Sequence, residues 1–258
     1  MLSKSLVALA ASASGALAAT PAGFEPGSDT SLLVTFGNVA ALNGAEVAKE
    51  ITQTAPTIAT ESKLDGTSFA VLMIDIDIPT DNPPETNTLL HWMQTGLTQS
   101  STSTSLNTTL GAETSFVLSV GDEAAFAEYI GPSPPARIPL SHRYTQIVVD
   151  TSDVTEDGLD ALKTAAATRL GFDAETVLTS AGLADKVLAG NFFNVTNPGP
   201  VAAANSTTSG GNSTTSGGSG SSGGSTSSQS PIPAGAVSQR ASASLMAIVL
   251  VGVAFFAL

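Results

Sequence analysis

The residue types best suited to binding chemistry in this chain are its two histidines, His91 and His142. Imidazole N–H groups donate hydrogen bonds to phosphate oxygens, and a neighbouring carboxylate fixes the tautomer and favours the cationic form. Asp75 and Asp77, which follow an apolar run, are the carboxylates of suitable type. A free backbone N–H at Ser133, within a proline-rich stretch, would serve the same oxygens. Together these residues predict a small anion site.

Other interpretations of the same residues stay open at this point. Each histidine can be a structural residue at a strand start, and the aspartates can be a solvated turn cap. Two histidines and an aspartate can also form a facial metal triad, although no helical spacing supports one. The sequence has no G-x-S-x-G elbow, P-loop or dinucleotide fingerprint. We therefore expect neither an enzyme nor a cofactor nor a metal.

Three elements must bring these residues together. In the stretch 129–150, Pro132, Pro134, Pro135 and Pro139 predict a rigid loop, because proline fixes φ and lacks a donor. The β-branched and aromatic residues at 144–149 predict the strand that follows it, with His142 at the junction.

The two other elements are also predicted strands. The nearly continuous apolar run 68–78 predicts a strand buried on both faces, and period two places Asp75 and Asp77 on one face. A third strand, 89–97, carries His91.

The remaining pattern runs from strands to helices. A first strand is predicted at 31–36, a strand or short helix at 45–51, and exposed loops at 79–88 and 98–109. Leu159, Leu162, Ala166 and Leu170 follow helical spacing, with Gly171 as the stop. A second helix is predicted over 173–188 with an interruption at Gly182, and 191–195 closes the domain.

Four motifs occur in order: Asp-Ile-Asp-Ile-Pro at 75–79, Leu-His-Trp at 90–92, Tyr-Ile-Gly-Pro-Ser-Pro-Pro at 129–135 and His-Arg-Tyr at 142–144. This series resembles the phosphatidylethanolamine-binding protein family over about residues 68–150. The resemblance implies a mostly β fold in which a large central sheet packs on a smaller one, with peripheral and C-terminal helices.

The same resemblance implies a pocket for phosphate or a phospholipid headgroup. In it His91 and His142 would bind the anion, Asp75 would orient an imidazole, and Asp77 would lie behind them. The residues implied at the mouth are Tyr129, Ser133, Pro134, Pro135 and Tyr144. The family also contains inhibitors of serine-type carboxypeptidases, so a peptidase partner is the alternative.

The two ends of the chain predict processing. Residues 1–19 combine one lysine, a short apolar run and small residues, which is typical of a secretory signal peptide cleaved near Ala18 or Ala19. Residues 237–258 are a polar spacer and an apolar tail that follow the small triplet 234–236. This order predicts a glycosylphosphatidylinositol signal with the lipid attached near Ala234.

Between these ends we expect one domain at 20–197 and a flexible Ser/Thr/Gly-rich stalk at 198–236. Four sequons offer glycan acceptors, at Asn107, Asn194, Asn205 and Asn212.

The composition excludes further classes. The chain has no cysteine, so thiol chemistry is excluded, and its formal net charge of −13 makes nucleic acid a poor partner. The prediction is a secreted, fungal-type member tethered to the outer face of the plasma membrane or to the cell wall. It would bind a phosphorylated headgroup; a peptidase inhibitor and a structural or adhesive wall protein are the alternatives.

Overall fold

The computed structural model describes residues 19–199, and these residues form a mostly β domain. Its ten strands are β1 (Leu33–Phe36), β2 (Val39–Ala40), β3 (Ala45–Glu46), β4 (Thr57–Thr60), β5 (Phe69–Pro79), β6 (Thr86–Gln99), β7 (Thr104–Thr108), β8 (Gly111–Ser119), β9 (Ser141–Asp150) and β10 (Val187–Thr196). The helices in this range are a short 3-10 helix (Lys49–Gln53), α1 (Glu156–Ala166) and α2 (Ala174–Ser180).

The strands form one curled sheet in the order β2-β1-β4-β8-β6-β5-β9-β10-β3, with β7 paired to β8. The long strand β6 joins two halves, because it pairs with β5 along most of its length and with β8 only at Thr98 and Gln99. The larger half contains β5, β9 and β10, and the smaller half contains β1, β4 and β8. This arrangement confirms the predicted fold class of a large central sheet with a smaller one.

Two hydrophobic clusters hold these layers. The first lies between the two halves of the sheet and includes Ile58 and Leu118 from the smaller half and Val71 and Phe193 from the larger. The second lies between the other face of the larger half and the helices. Because β5 is covered on both faces, its apolar run is continuous, as predicted. Residues 19–199 thus contain a hydrophobic core of their own, which is what a domain requires to fold independently.

The first predicted helix is shorter in the structure. It ends at Ala166 rather than at Gly171, and Leu170 is 58% exposed. The chain after the helix pairs with β6 instead, where the Leu90 N–H donates to the Arg169 carbonyl (2.9 Å). Tertiary pairing therefore overrides the helical spacing of Leu170.

Two other predicted boundaries are wrong. The second helix ends at Ser180, close to the predicted interruption at Gly182, which has a left-handed φ of 72°. The predicted continuation to 188 does not form, because Val187 already starts β10 in the ladder with β9. The stretch 98–109 is largely strand rather than loop, because β6 runs to Gln99 and β7 forms a hairpin with β8. The stretch 45–51 contains both predicted alternatives, β3 and the start of the 3-10 helix.

The predicted signal peptide up to Ala18, the predicted lipid-anchor signal, all of the predicted stalk but 198–199, Asn205, Asn212 and Ala234 lie outside the described residues. Ala19 belongs to the domain, since its N–H donates to the Ser28 carbonyl (3.0 Å). Within residues 19–199, no helix has the length and apolar composition needed to span a bilayer.

Candidate anion-binding site

A β-bulge places His91. Met73 of β5 pairs with Trp92 of β6, whereas the next residue, Ile74, pairs with Leu90, so His91 is the extra residue of β6. A bulged residue has no partner across the ladder, and its side chain is re-aimed relative to its neighbours. The orientation of the His91 side chain therefore depends on a bulge in the pairing of β5 with β6.

The His91 imidazole is buried, with 4% of the residue exposed. Its Nδ1 lies 2.7 Å from the Ile130 carbonyl oxygen, and the Ile130 N–H donates to the His91 carbonyl at 2.9 Å. A carbonyl oxygen only accepts, so Nδ1 carries the proton and the Nε2 of the neutral ring is an acceptor. Burial lowers the pKa of His91; the bond to Ile130 and the charge of Asp75 partly offset this.

The His142 imidazole is paired with a carboxylate. Its Nδ1 donates to Asp75 Oδ2 at 2.7 Å, and the two side chains are 0% and 2% exposed. The His142 Nε2 is also buried and has no partner within the described residues. Buried polar atoms almost always have hydrogen-bond partners in native proteins. This nitrogen is therefore the clearest structural indication of a ligand.

Asp77 holds the start of β9 rather than an imidazole. Its carboxylate accepts hydrogen bonds from Nε and Nη2 of the Arg143 guanidinium, both at 2.7 Å. It also accepts one from the Arg143 backbone N–H at 2.8 Å. The Asp77 N–H donates in turn to Asp75 Oδ1 (2.9 Å). The hydrogen bond to Asp77 raises the pKa of Arg143. The Arg143 charge is thus balanced locally and holds the strand end that carries His142.

Tyr144 forms the floor of the site rather than its mouth. The residue is fully buried, and its ring centroid lies 5.1 Å from that of His91 in an edge-on arrangement. The same ring stacks at 6.5 Å from His142 and at 5.5 Å from Phe193. Burial, together with the negative charge of Asp75, raises the pKa of Tyr144. The neutral phenol of Tyr144 therefore packs the two imidazoles against the first hydrophobic cluster, to which Tyr144 itself belongs.

The 3-10 helix braces the proline-rich loop. The Tyr129 hydroxyl donates to the Thr52 carbonyl (2.7 Å), and Gln53 Nε2 donates to the Pro132 carbonyl (3.0 Å). Gly131 lies so close that a Cβ there would be 2.9 Å from the Gln53 Cα. The loop and the 3-10 helix are therefore packed closely together, and the hydrogen bond to Thr52 fixes the position of the Tyr129 hydroxyl.

The remaining mouth residues differ in exposure. Ser133 and Pro135 are exposed, and Ser133 Oγ accepts from Lys49 Nζ at 2.7 Å. Pro134 is buried, and its carbonyl accepts from Asn197 Nδ2 at 2.9 Å. The structure thus places Ser133 at the surface, beside the Lys49 ammonium, and Lys49 belongs to none of the sequence motifs.

Arg169 is a second residue that the sequence did not mark. Its guanidinium donates to the carbonyls of Leu90 (3.2 Å), His91 (3.3 Å) and Glu128 (2.8 Å). These bonds hold the bulged backbone of β6 against the segment that leads into the proline-rich loop. The helical spacing before Arg169 gave no signal of this role.

The two described sequons differ in access. Asn107 is exposed on the β7–β8 hairpin. Asn194 is half-buried in β10, and its Nδ2 donates to the Gly44 carbonyl at 2.7 Å. The folded domain therefore presents Asn107 to solvent more fully than Asn194.

Two further features concern other kinds of site. Within residues 19–199 no group of three or more His, Cys, Asp or Glu side chains is arranged to hold a metal ion. A cleft of about 550 Å³ is lined by Phe24, Ile76, Arg143, Phe172 and Glu175 and includes neither histidine. It lies beside the second cluster, and we place the anion-binding chemistry at the histidines, where the buried Nε2 of His142 has no partner within residues 19–199.

Comparisons with known proteins show the family of this chain. The model of the phosphatidylethanolamine-binding protein family matches residues 33–193. Phomoidride biosynthesis cluster protein N of Talaromyces stipitatus is 30% identical over 189 residues, which are 67% of this chain and 88% of that protein.

Solved structures with a similar chain are more distant in sequence. The carboxypeptidase Y inhibitor complexed with its cognate proteinase is 16% identical, with a TM-score of 0.45, over 65% of this chain and 83% of that one. A phosphatidylethanolamine-binding protein from Plasmodium vivax is 18% identical, with a TM-score of 0.43, over 64% and 84%. On the match that spans 33–193, the chain belongs to the phosphatidylethanolamine-binding protein family.

Proposed function

We propose that this chain is a non-enzymatic binding protein for a small phosphorylated anion, such as a phospholipid headgroup. One observation carries the proposal: His142 is fully buried, its Nδ1 is held by Asp75, and its Nε2 has no partner within the described residues. His91 supports it, because its ring lies against the same Tyr144 ring. Two imidazoles on one aromatic floor suit an anion with several oxygens.

Binding at this site takes up protons. Both Nδ1 atoms face acceptors, so each neutral ring has an unprotonated Nε2. A phosphate oxygen needs a donor there, and each imidazole provides one when it becomes an imidazolium. The bound anion stabilises positive charge on His91, whose pKa burial lowers in the free domain. The ligand and the protons therefore bind together.

The sequence supports a place for this activity at the cell surface. The predicted signal peptide, stalk and lipid-anchor signal would tether the domain to the outer face of the plasma membrane or to the cell wall. A phosphatidylinositol-specific phospholipase should release the protein from intact cells. Retention of the full amount after complete digestion would contradict lipid anchoring and leave the binding proposal to its own test.

The binding test is a calorimetric titration of residues 19–199 with phosphorylethanolamine. His142→Ala and His91→Ala should each abolish measurable binding, whereas the matched surface variant Lys163→Ala should bind as wild type does. The relative from Talaromyces stipitatus is named for a biosynthetic cluster, so small organic anions belong in the same ligand screen. Unchanged binding by both histidine variants would overturn the proposal.

The alternatives predict different results. A peptidase inhibitor would block a serine carboxypeptidase at near-stoichiometric amounts, and both histidine variants would inhibit as well as wild type. A structural wall protein would bind no small anion, and the stalk and anchor alone would replace it in cells.

A further inference from the structure

The cleft of about 550 Å³ beside the second cluster has walls from separate parts of the chain. One wall is the N-terminal segment 22–25, and the opposite wall is 171–175, which leads into α2. Between them lie the end of β5 and the start of β6. Ligand clefts usually enclose about 300–1,000 Å³ and have mostly apolar walls with a few polar groups. This cleft is therefore large enough for a small organic molecule.

The floor of the cleft is apolar. Ile74 and Ile76 lie on the face of β5 that turns towards the helices, and Phe172 and Ala174 are buried beside them in the second cluster. Phe24 packs against the same cluster from the N-terminal wall and is only half-buried. Aromatic side chains of this kind attract ammonium groups as well as apolar ones. The floor thus suits the apolar body of a ligand.

The carboxylates at the cleft have no cationic partner within residues 19–199. Glu25, Asp173 and Glu175 line the cleft and are exposed, and no ion pair of the described residues includes them. The lining also includes Arg143, but its guanidinium is bound to Asp77 through Nε and Nη2. The cleft therefore combines a surplus of negative charge with an apolar floor.

A buried hydroxyl next to the floor has no partner either. Thr145 follows Arg143 by two residues on β9, so both lie on the same face of the sheet, and Thr145 pairs with Ile74 across β5. Its Oγ1 is buried and has no hydrogen-bond partner within the part of the chain that the structure describes. Buried polar atoms are almost always paired, so this hydroxyl indicates a polar atom, from a ligand or from water, at the inner end of the cleft.

We propose that this cleft binds a small organic ammonium ion, with its apolar body on Phe24, Ile76 and Phe172 and its charge at Glu25 and Glu175. Burial of the apolar body stabilises the complex in proportion to the area removed from water. The carboxylates select a cation over a neutral or anionic molecule of the same shape. The cleft includes neither histidine, so this second site goes beyond the proposed anion binding and does not depend on it.

The test is a calorimetric titration of the full chain with molecules that share a phenyl ring and a short side chain. Phenethylamine is a cation at neutral pH, phenethyl alcohol is uncharged, and phenylacetate is an anion. The amine should bind about tenfold more tightly than the alcohol, and phenylacetate should bind more weakly still, because unpaired carboxylates attract only the cation.

Two variants remove the charge and keep the shape of the cleft. Glu25→Gln and Glu175→Gln should each weaken amine binding about fivefold, since each removes one attracting charge. Glu156→Gln is the matched control, because Glu156 lies in the first turn of α1 as Glu175 does in that of α2, but it does not line the cleft. Ala22→Trp tests the position independently, since a large ring at this exposed wall residue should block the amine while every carboxylate remains.

The outcomes also separate this inference from the proposed function. Amine binding that weakens in the cleft variants but not in Glu156→Gln supports the second site. Equal weakening in all variants overturns it, because the effect would then reflect only the net charge of −13. Absence of amine binding by the wild type, or equal affinity for the alcohol, also overturns it.

Competition with glycerophosphate, which has a phosphate but no amine, completes the test. Displacement of the amine by glycerophosphate would place the amine at the histidines and overturn the second site. Binding of both molecules at once supports two separate sites. A chain that binds the amine in the cleft but no glycerophosphate would support this inference and contradict the proposed function.

Discussion

His142 Nδ1 lies 2.7 Å from Asp75 Oδ2, and this pair connects two central strands of the sheet while both side chains are at most 2% exposed. Asp77, the other carboxylate on β5, forms a salt bridge with Arg143, which follows His142 on β9. Each strand thus supplies two polar partners at one place in an otherwise apolar layer. These two pairs, Asp75 with His142 and Asp77 with Arg143, hold the start of β9 against β5 and so position the His142 imidazole.

Removal of Asp75 should destabilise the domain strongly. Asp75→Ala leaves His142 Nδ1 buried without an acceptor, and breaking one partner of a buried pair costs about 3–5 kcal/mol. Asp75→Asn preserves the shape and should cost less. The free energy of unfolding in urea measures both.

Asp81→Ala is the matched control for this prediction. Its carboxylate is paired with Arg137 at the surface, with side chains 98% and 56% exposed, and such pairs contribute little. An Asp75→Ala variant as stable as Asp81→Ala would show that the buried pair does not hold β5 and β9 together.

His91 should make the domain less stable in acid. Its pKa is lowered from 6.5 in the folded state, so the unfolded chain binds more protons below that value. The free energy of unfolding therefore falls as the pH drops from about 6.5 towards the lowered folded pKa. His91→Gln should remove this part of the pH dependence, as measured by urea unfolding from about pH 7.5 to about pH 5. Identical pH profiles for the variant and the wild type would contradict the assigned burial of the imidazole.

Gly131→Ala should move the proline-rich loop away from its brace. The added Cβ would lie 2.9 Å from the Gln53 Cα, which is backbone and cannot rotate away. Overpacking of this kind costs about 1–3 kcal/mol, and headgroup binding should weaken together with stability. Gly121→Ala is the control, because its nearest neighbour, the Gly96 carbonyl oxygen, would be at an ordinary 3.5 Å. If the two variants bind and unfold alike, the brace does not position the site.

Binding of a phosphodiester should strengthen as the pH falls. Glycerophosphorylethanolamine keeps a constant phosphate charge near neutral pH, so any change reports on the protein. His91 has a lowered pKa and is neutral at pH 7, and the bound anion favours its protonation. Affinity should therefore increase from about pH 7.5 to about pH 6.

Calorimetry in two buffers with different ionisation enthalpies measures the same coupling directly. A net uptake of protons on binding is expected, and His91→Gln should reduce it. Release of protons, or no exchange at all, would be incompatible with imidazoles that donate from Nε2.

Part of this architecture follows from the sequence. The apolar run 68–78 is sufficient to predict a strand covered on both faces, and the ordered motifs at 75–79, 90–92, 129–135 and 142–144 locate the site. The bulge at His91 could not be predicted, because it arises from the pairing of β6 with β5, which is a non-local property. Leu170 misled the helix assignment for a related reason, since pairing of the adjacent backbone with β6 outweighs local spacing.

The contacts between the 3-10 helix and the proline-rich loop also could not be predicted from local sequence pattern. Lys49 precedes Ser133 by 84 residues, and neither belongs to a motif that would link them. Arg169 lies three residues after the end of α1 and donates to two carbonyls of β6, although its local sequence indicates only the continuation of an amphipathic helix. Such contacts depend on how the chain folds back, and only the three-dimensional structure shows them.

The most direct test is an NMR titration of the two imidazoles in residues 19–199 with glycerophosphorylethanolamine. The chain has only two histidines, so His91→Ala and His142→Ala each assign one set of ring signals. One site made by both residues predicts that the signals shift together along a single saturating curve. Imidazole signals that do not move, or that follow two independent curves, would contradict a shared anion site.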